Sequence, residues 1–363
     1  MSHSIYMARA IALAKKGMYS SDPNPRVGCV LVKDGEIIGE GFHQKAGEGH
    51  AEVNALRAAG DLAKGATAYV TLEPCSHFGR TPPCSDGLIK AGISEVVCAM
   101  QDPNPQVAGQ GFAKLEAAGI AVTQGVLEEQ ARLLNPGFIK RMETGMPFVR
   151  LKMASSLDGR TAMQSGESKW ITGPAARADV QRLRARSSAI ISGISSILHD
   201  DSSLTVRAKD LGFEDQEYAQ FVASRQPLRV ILDSHGRLPK QAKVLQQDGE
   251  TLVAVKHGVQ VNVGTDVIPL DADESGLDLQ ALLKELANRQ CNEILVETGA
   301  TLAGQFIDKG LVDEMVLYMA PSFMGSEARP LLHLPIEDMT AKHSLNIVDT
   351  RMVGDDIRLT IKF

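Results

Sequence analysis

The sequence is short of several things that would settle its class at once. It has one tryptophan, and five cysteines in 363 residues. Five is an odd number for a disulfide framework, and no secretory signal is visible, so a reducing cytoplasm fits better. No apolar run reaches the length of a membrane-spanning helix. Positive charge is not in excess. The net charge of −6 argues against a nucleic-acid surface, which needs a basic patch. Local basic clusters exist, such as Arg182, Arg184 and Arg186, but these spread around a helix and read as a solvated face. The second half lacks the glycine fingerprint of a dinucleotide fold. The nearest candidate, Gly109-Gln110-Gly111, lies in the first half and has Lys114 where the third glycine belongs. Repeats and low-complexity tracts are absent.

What is present concentrates between His50 and Cys84. His50, Cys75 and Cys84 offer one imidazole and two thiolates, a three-ligand set for a tetrahedral zinc that keeps its fourth position for water. Such a zinc acidifies its water towards neutrality. Glu52, two residues from His50, is placed to move protons rather than to bind metal. His-x-Glu followed by Pro-Cys and a second cysteine is the arrangement of zinc nucleobase deaminases, with eight residues here between Cys75 and Cys84 in place of two. A single cysteine is more often a small core residue. Cys29, Cys98 and Cys291 are read that way.

The apolar spacing predicts a helix over 4–16, strands over 29–33 and 36–43 around an Asp34-Gly35 hairpin turn, and a helix over 50–59. A strand follows over 67–72, with Cys75 just beyond it, then a helix over 84–91 and a strand over 95–100. Proline-fixed loops stand at Asp22-Pro23-Asn24-Pro25 and Asp102-Pro103-Asn104-Pro105. A helix over 112–118, a strand over 120–123 and a helix over 127–134 lead to a boundary near 141–145. The alternation predicts a mainly parallel sheet with helices on its faces. Past Pro147, strands are expected over 148–155, 189–193, 228–233, 251–255, 293–297, 313–320, 344–351 and 357–363. Helices are expected over 174–186, 279–288 and 301–309. Residues 208–226 show no pattern and read as a surface excursion. The junction Thr298-Gly299-Ala300-Thr301 has small residues where a strand feeds a helix, a place where a phosphate can approach.

These residues carry a resemblance. His50-Ala51-Glu52, Thr71-Leu72-Glu73-Pro74-Cys75-Ser76-His77 and Gly79-Arg80-Thr81-Pro82-Pro83-Cys84 resemble the deaminase half of the bacterial bifunctional riboflavin-biosynthesis enzymes, as does Pro23-Asn24-Pro25-Arg26-Val27-Gly28. Leu151 to Gly159, Trp170-Ile171-Thr172-Gly173, Asp200-Asp201 with Leu204 to Arg207, and Leu232-Asp233-Ser234 resemble the reductase half. The resemblance implies an α/β chain, with a cytidine-deaminase-like domain over 1–145 followed by a dihydrofolate-reductase-like domain over 146–363. It implies zinc-dependent deamination of a phosphoribosylated aminopyrimidine, then NADPH reduction of the ribosyl group to ribityl. It also implies a cytoplasmic homo-oligomer, most simply a dimer.

Carried over position by position, the resemblance implies zinc on His50, Cys75 and Cys84, with Glu52 as proton shuttle. Substrate contacts fall on Asn24, His43, His77, Arg80 and Thr81, and in the second half on Ser168, Arg184, Leu204, Arg207 and Glu297. Cofactor contacts fall on Ala154, Trp170, Ser196, Asp200, Ser234 and a turn from Gly299 through Ala300, Thr301, Leu302, Ala303 and Gly304 to Gln305. Ser202, Ser196 and Thr298 depart from the usual residues. Lys152 lies where it can bond substrate oxygens. Two other readings stand beside this one: a nucleic-acid deaminase, which net acidity disfavours, and a zinc-stabilised binding module, which would need a fourth ligand.

Overall fold

The computed structural model describes residues 2–78, 82–105 and 107–363. The chain divides into two compact units, residues 1–146 and 147–363. Among the described residues no helix is long and apolar enough to cross a membrane.

In the first unit five strands form one sheet, in the order Glu36–Phe42, Gly28–Lys33, Thr67–Val70, Glu95–Cys98, Ala121–Thr123. Asp34 and Gly35, at φ 52° and 83°, make the tight hairpin, so the first two strands are antiparallel. Gly28–Lys33 also runs antiparallel to Thr67–Val70, and only the last two pairings are parallel. The sheet is therefore mixed rather than mainly parallel. Alternation along Gly28–Lys33 builds two cores. Val30 and Val32 face the helix His3–Ala14, while Cys29 and Leu31 face Ala51, Ala55 and Ala59 of the helix Ala51–Ala59.

Both helices lie against bare backbone. A Cβ added at Gly28 would sit 2.0 Å from the Ala10 carbonyl oxygen, and one at Gly41 would sit 2.3 Å from that of Ala51. Only glycine permits this approach, and it fixes where His50 begins its helix. Asn54 adds a tether, donating from Nδ2 to the Phe42 and Gly49 carbonyls at 3.0 and 3.2 Å.

The expected boundary region holds a helix, Pro136–Thr144, with proline in its first turn. It is pinned from the other end of the unit. Asn135 and Arg26, both buried, exchange bonds of 2.8 and 2.9 Å, and Arg26 Nη1 donates to the Leu134 carbonyl at 2.7 Å.

In the second unit nine strands run Asp266–Leu270, Thr251–Lys256, Leu228–Leu232, Ala189–Gly193, Glu293–Glu297, Phe148–Ser156, Glu314–Ala320, Asp356–Lys362, Asn346–Val353. The first seven are parallel and the last two antiparallel. The final strand is an edge, with Ile347, Val348 and Met352 all exposed. The stretch read as a surface excursion contains the helix Gln216–Ala223, begun by the Asp215 side chain, which accepts from the Tyr218 amide. Leu211, Ala219 and Val222 are buried and anchor the segment, while its other residues are exposed or half-buried, so it is an ordered stretch running over the surface.

The arginines of the helix Pro174–Arg186 are not a solvated face. Arg182 pairs with Asp179 at 3.0 Å, Arg184 with Glu297 at 2.6 Å and Arg186 with Glu293 at 3.1 Å. Glu293 is shared with Arg150, which is 1% exposed and also pairs with Glu314. Arg229, equally buried, donates to the carbonyls of Gln247, Asp248 and Gly249. It thereby ties the turn before Thr251–Lys256 to the neighbouring strand.

Candidate functional site

His50 is the residue before the first turn of its helix, at the N-cap position, and makes no cap bond through its side chain. The imidazole is free to turn towards the sulfurs. Its Nδ1 lies 3.7 Å from Cys75 Sγ and 3.3 Å from Cys84 Sγ, and all three ligand atoms fall within 4.8 Å of one another. Cys75 follows the strand Thr67–Val70, and Cys84 opens the helix Cys84–Lys90. The Cys84 amide donates to Cys75 Sγ at 3.3 Å. Ser85 locks the far side, bonding the Cys75 carbonyl from both its amide and its hydroxyl.

The electrostatics fit a cation. Cys75 lies well below the usual thiol range, chiefly because the Cys84 thiol donates to it, and Cys84 is pushed up for the same reason. His50 is raised by its bond to Cys75. A dication bound here would take the place of the protons these groups hold. Glu52 is 3% exposed, and its Oε2 has no hydrogen-bond partner. Burial, then the charge of Cys75, pushes its carboxyl up to about 7. A buried carboxylate with one oxygen ungripped is suited to take and return a proton.

Around the trio, Asn24 Nδ2 and His43 Nε2 lie 3.1 Å apart, and the His43 ring stands edge-on to His50 at 5.2 Å. Burial lowers the His43 pKa. His77 is exposed. Arg80 and Thr81, like Gly79, lie outside the described residues. Cys29 and Cys98 are buried in strands, and Cys291 is buried after a helix, in line with packing roles.

Two residues of this site escaped the sequence reading. Glu73 is buried and accepts from three amides, Asp102 at 3.1 Å, Gly109 at 3.0 Å and Gly111 at 2.9 Å. The other is Asp102 itself. Glu73 stands two residues before Cys75 in a motif already in view. Its partners, nearly thirty or more residues on, give no local signal.

In the second unit Arg184 meets Glu297 with two bonds, 2.6 and 2.9 Å, and donates to the Thr205 carbonyl at 3.2 Å. Arg207 bonds Asp210, and Ser168 bonds Asp200 at 3.4 Å. Each of these three substrate candidates is thus paired within the protein. Glu297 occupies the Arg184 guanidinium, and Arg207 acts on Glu297 only through its field. Leu204 is buried at φ 51°, so it can offer only backbone. Lys152 sits one strand from Glu297, in register with it, and burial lowers its pKa.

Ala154, Ser196 and Ser234 are half-buried, as is Asp200, whose carbonyl also accepts from Lys169. Trp170 is 71% exposed, with the Arg177 guanidinium 4.6 Å from its ring centroid, so it anchors no core. Gly299 to Gln305 is no turn. Gly299 precedes the helix Ala300–Asp308, whose start has no side-chain cap. Gly299, Ala300 and Thr301 are accessible and Leu302 is half-buried. Ala303 and Gly304 face the interior, where the His333 carbonyl would meet any Cβ on Gly304. Gln305 bonds the Ser275 carbonyl.

Known proteins share this arrangement. Residues 1–100 match the family model described as the cytidine and deoxycytidylate deaminase zinc-binding region, and residues 147–359 match that of the RibD C-terminal domain. The riboflavin biosynthesis protein RibD of Escherichia coli is 51% identical over 364 residues, 99% of each chain. That of Haemophilus influenzae is 50% identical, covering 98% of this chain and 96% of its own. The Acinetobacter baumannii RibD structure superposes with a TM-score of 0.91 at 49% identity, over 99% of this chain and 98% of that one. A Thermotoga maritima diaminohydroxyphosphoribosylaminopyrimidine deaminase/5-amino-6-(5-phosphoribosylamino)uracil reductase superposes at 0.86 with 35% identity, over 99% and 98%.

Proposed function

The chain belongs to the RibD family of bifunctional riboflavin-biosynthesis enzymes, and from that premise we propose how its residues divide the work. It is a deaminase and a reductase. The first unit, 1–146, removes the ring amino group of the phosphoribosylated diaminopyrimidine. The second, 147–363, reduces the ribosyl group to ribityl. The observation that supports this reading most is the His50, Cys75 and Cys84 trio, closed within 4.8 Å beside a buried, half-unpartnered Glu52.

The donor set fits zinc: one nitrogen, two sulfurs and no fourth protein ligand among the described residues. Zinc, when bound, supplies a Lewis acid that lowers the pKa of water. The remaining work belongs to the protein. Glu52 holds a proton on its free oxygen, gives it to the ring nitrogen beside the reacting carbon, regains one from the hydroxyl added to that carbon and delivers it to the departing amine. His43, held by Asn24, walls the site, and the family positions Asn24, His43, His77, Arg80 and Thr81 are assigned to the substrate.

In the second unit NADPH supplies hydride when bound. The uncapped helix start at Gly299 to Thr301 suits its phosphates, with Ala154, Trp170, Ser196, Asp200 and Ser234 completing the cofactor set. Arg207 receives the substrate phosphate. Arg184 orients Glu297, and Ser168 and the Leu204 backbone complete the substrate set. Lys152 faces the substrate's sugar oxygens.

We also infer a homodimer through Asn346–Val353, because its open edge is self-complementary. If Thr350 pairs with its own copy in an antiparallel ladder, each Asp349, bonded to Arg351 of its own strand at 2.7 Å, also faces the other copy's Arg351. Sedimentation equilibrium checks this, and a monomer at micromolar concentration rejects it. The activity itself is tested by mass spectrometry of the product from the diaminopyrimidine substrate. Loss of one amino group is expected without NADPH, and a further gain of two hydrogens with it. An unchanged substrate overturns the reading.

A further inference from the structure

The tetrapeptide Asp-Pro-Asn-Pro occurs twice, at 22–25 and 102–105. The first copy carries Asn24, already at the wall of the metal site. The second follows the strand Glu95–Cys98, whose parallel neighbour Thr67–Val70 leads into the loop of Cys75. The two loops thus leave the same edge of the sheet side by side, where α/β sheets take their ligands.

They are also bolted together. Glu73 accepts from the Asp102, Gly109 and Gly111 amides, and its own amide donates to the Met100 carbonyl at 3.0 Å. The start of the helix Gln110–Ala117 presses so closely on the segment before Cys75 that a Cβ at Gly111 would lie 2.1 Å from the Pro74 carbonyl oxygen. This clamp fixes the loop of Asp102 against the segment that leads to Cys75, near enough for Asp102 to feel the charges of Cys75 and His77. Asp102 is only 9% exposed. Its Oδ1 accepts from the Asn104 amide at 2.9 Å, and its other oxygen has no hydrogen-bond partner among the described residues, yet is not sealed from solvent. Burial above all raises its pKa to about 6, with the Asn104 amide opposing the rise and the charge of Glu73 adding to it.

We propose that Asp102 is a specificity-determining residue of the deaminase, its free oxygen accepting a hydrogen bond from the ring amino group opposite the reacting carbon. The proposal rests on the deaminase reading above. The reacting amino group faces the metal trio and leaves. The substrate's 5-amino group, across the ring, is a donor that needs an acceptor. A carboxylate is acceptor-only when ionised. Glu73 is then a positioning residue, acting through the loop it holds.

Asp102→Asn tests this. The amide oxygen can still accept from the Asn104 amide, so the loop keeps its anchor, while the free oxygen becomes a donor that opposes the substrate amine. Deamination is followed by ammonia release, on the natural pyrimidine and on an analogue lacking the 5-amino group. The KM for the natural substrate should rise on the order of 10- to 100-fold. Zinc content should be unchanged and kcat within a few-fold. For the analogue, wild type and Asp102→Asn should share one KM. Equal losses on the two substrates, or a natural-substrate KM within twofold of wild type, overturn the role of Asp102 while leaving the deaminase standing. No ammonia from the wild-type chain overturns both.

Discussion

In the first unit a carboxylate oxygen of Glu52 is buried beside two thiols with nothing to bond it. In the second, Arg184 already grips Glu297, Arg207 bonds Asp210, and Asp200 holds Ser168. One site gathers three ligands around a place that a cation completes, and leaves Glu52 ungripped beside it. The other balances its charges internally, and a substrate must compete with pairs already made. A metal centre can be preorganised by leaving ligands unsatisfied, because the metal repays the cost once. A site for a charged, exchanging substrate gains from neutral rest, which keeps buried charges paired between turnovers.

The contrast is open to direct attack. Cys75→Ala should remove the zinc and abolish deamination, and lower the melting temperature of the first unit alone. Metal analysis and two-transition calorimetry measure this, and a folded variant with a full zinc complement would erase the contrast. Glu52→Gln should keep zinc but lose deamination by roughly two to four orders of magnitude. Reduction of pre-deaminated substrate should survive, and joint loss of both activities in a folded chain would show that the sites are not separable.

Glu293→Ala strips the buried Arg150 of one carboxylate, so the second unit should lose about 3–5 kcal/mol by urea unfolding. A loss under 1 kcal/mol would mean that these charges were never desolvated. Arg207→Ala is the mildest. It should raise the reductase KM for phosphorylated substrate about tenfold, the equivalent of roughly 1.4 kcal/mol, and leave a dephosphorylated analogue unchanged. Equal effects on both would return Arg207 to a structural role.

Most of the architecture was legible because local and tertiary signals agreed. Helix Pro174–Arg186, strand Ala189–Gly193 and helix Leu279–Asn288 stand where their apolar spacing put them. The metal trio was legible because three soft ligands around His-x-Glu have few other uses. Failures share one cause, partners distant in sequence. Arg184 and Arg186 read as solvated because Glu297 and Glu293 lie over a hundred residues away. Helix Pro136–Thr144 was hidden because a proline opens it and Asn135, just before it, is held by the distant Arg26. The mixed first sheet was missed because the hairpin signal at Asp34-Gly35 does not say that Gly28–Lys33 also pairs antiparallel with Thr67–Val70. Glu73 and Asp102 carry no local sign of their contact, which exists only once two strand ends meet.

The glycines at 28 and 41 set a clock as well as a position. With no side chain between strand Glu36–Phe42 and the helix that His50 opens, the backbone of His50 stays in place while the sheet stays closed. Escape of the metal should then wait for an opening of the sheet itself. The rate at which a strong chelator strips zinc would follow the slow hydrogen–deuterium exchange of the amides in Gly28–Lys33, not the faster exchange of surface loops. Gly41→Ala, by prising the helix off the sheet, should quicken both rates together.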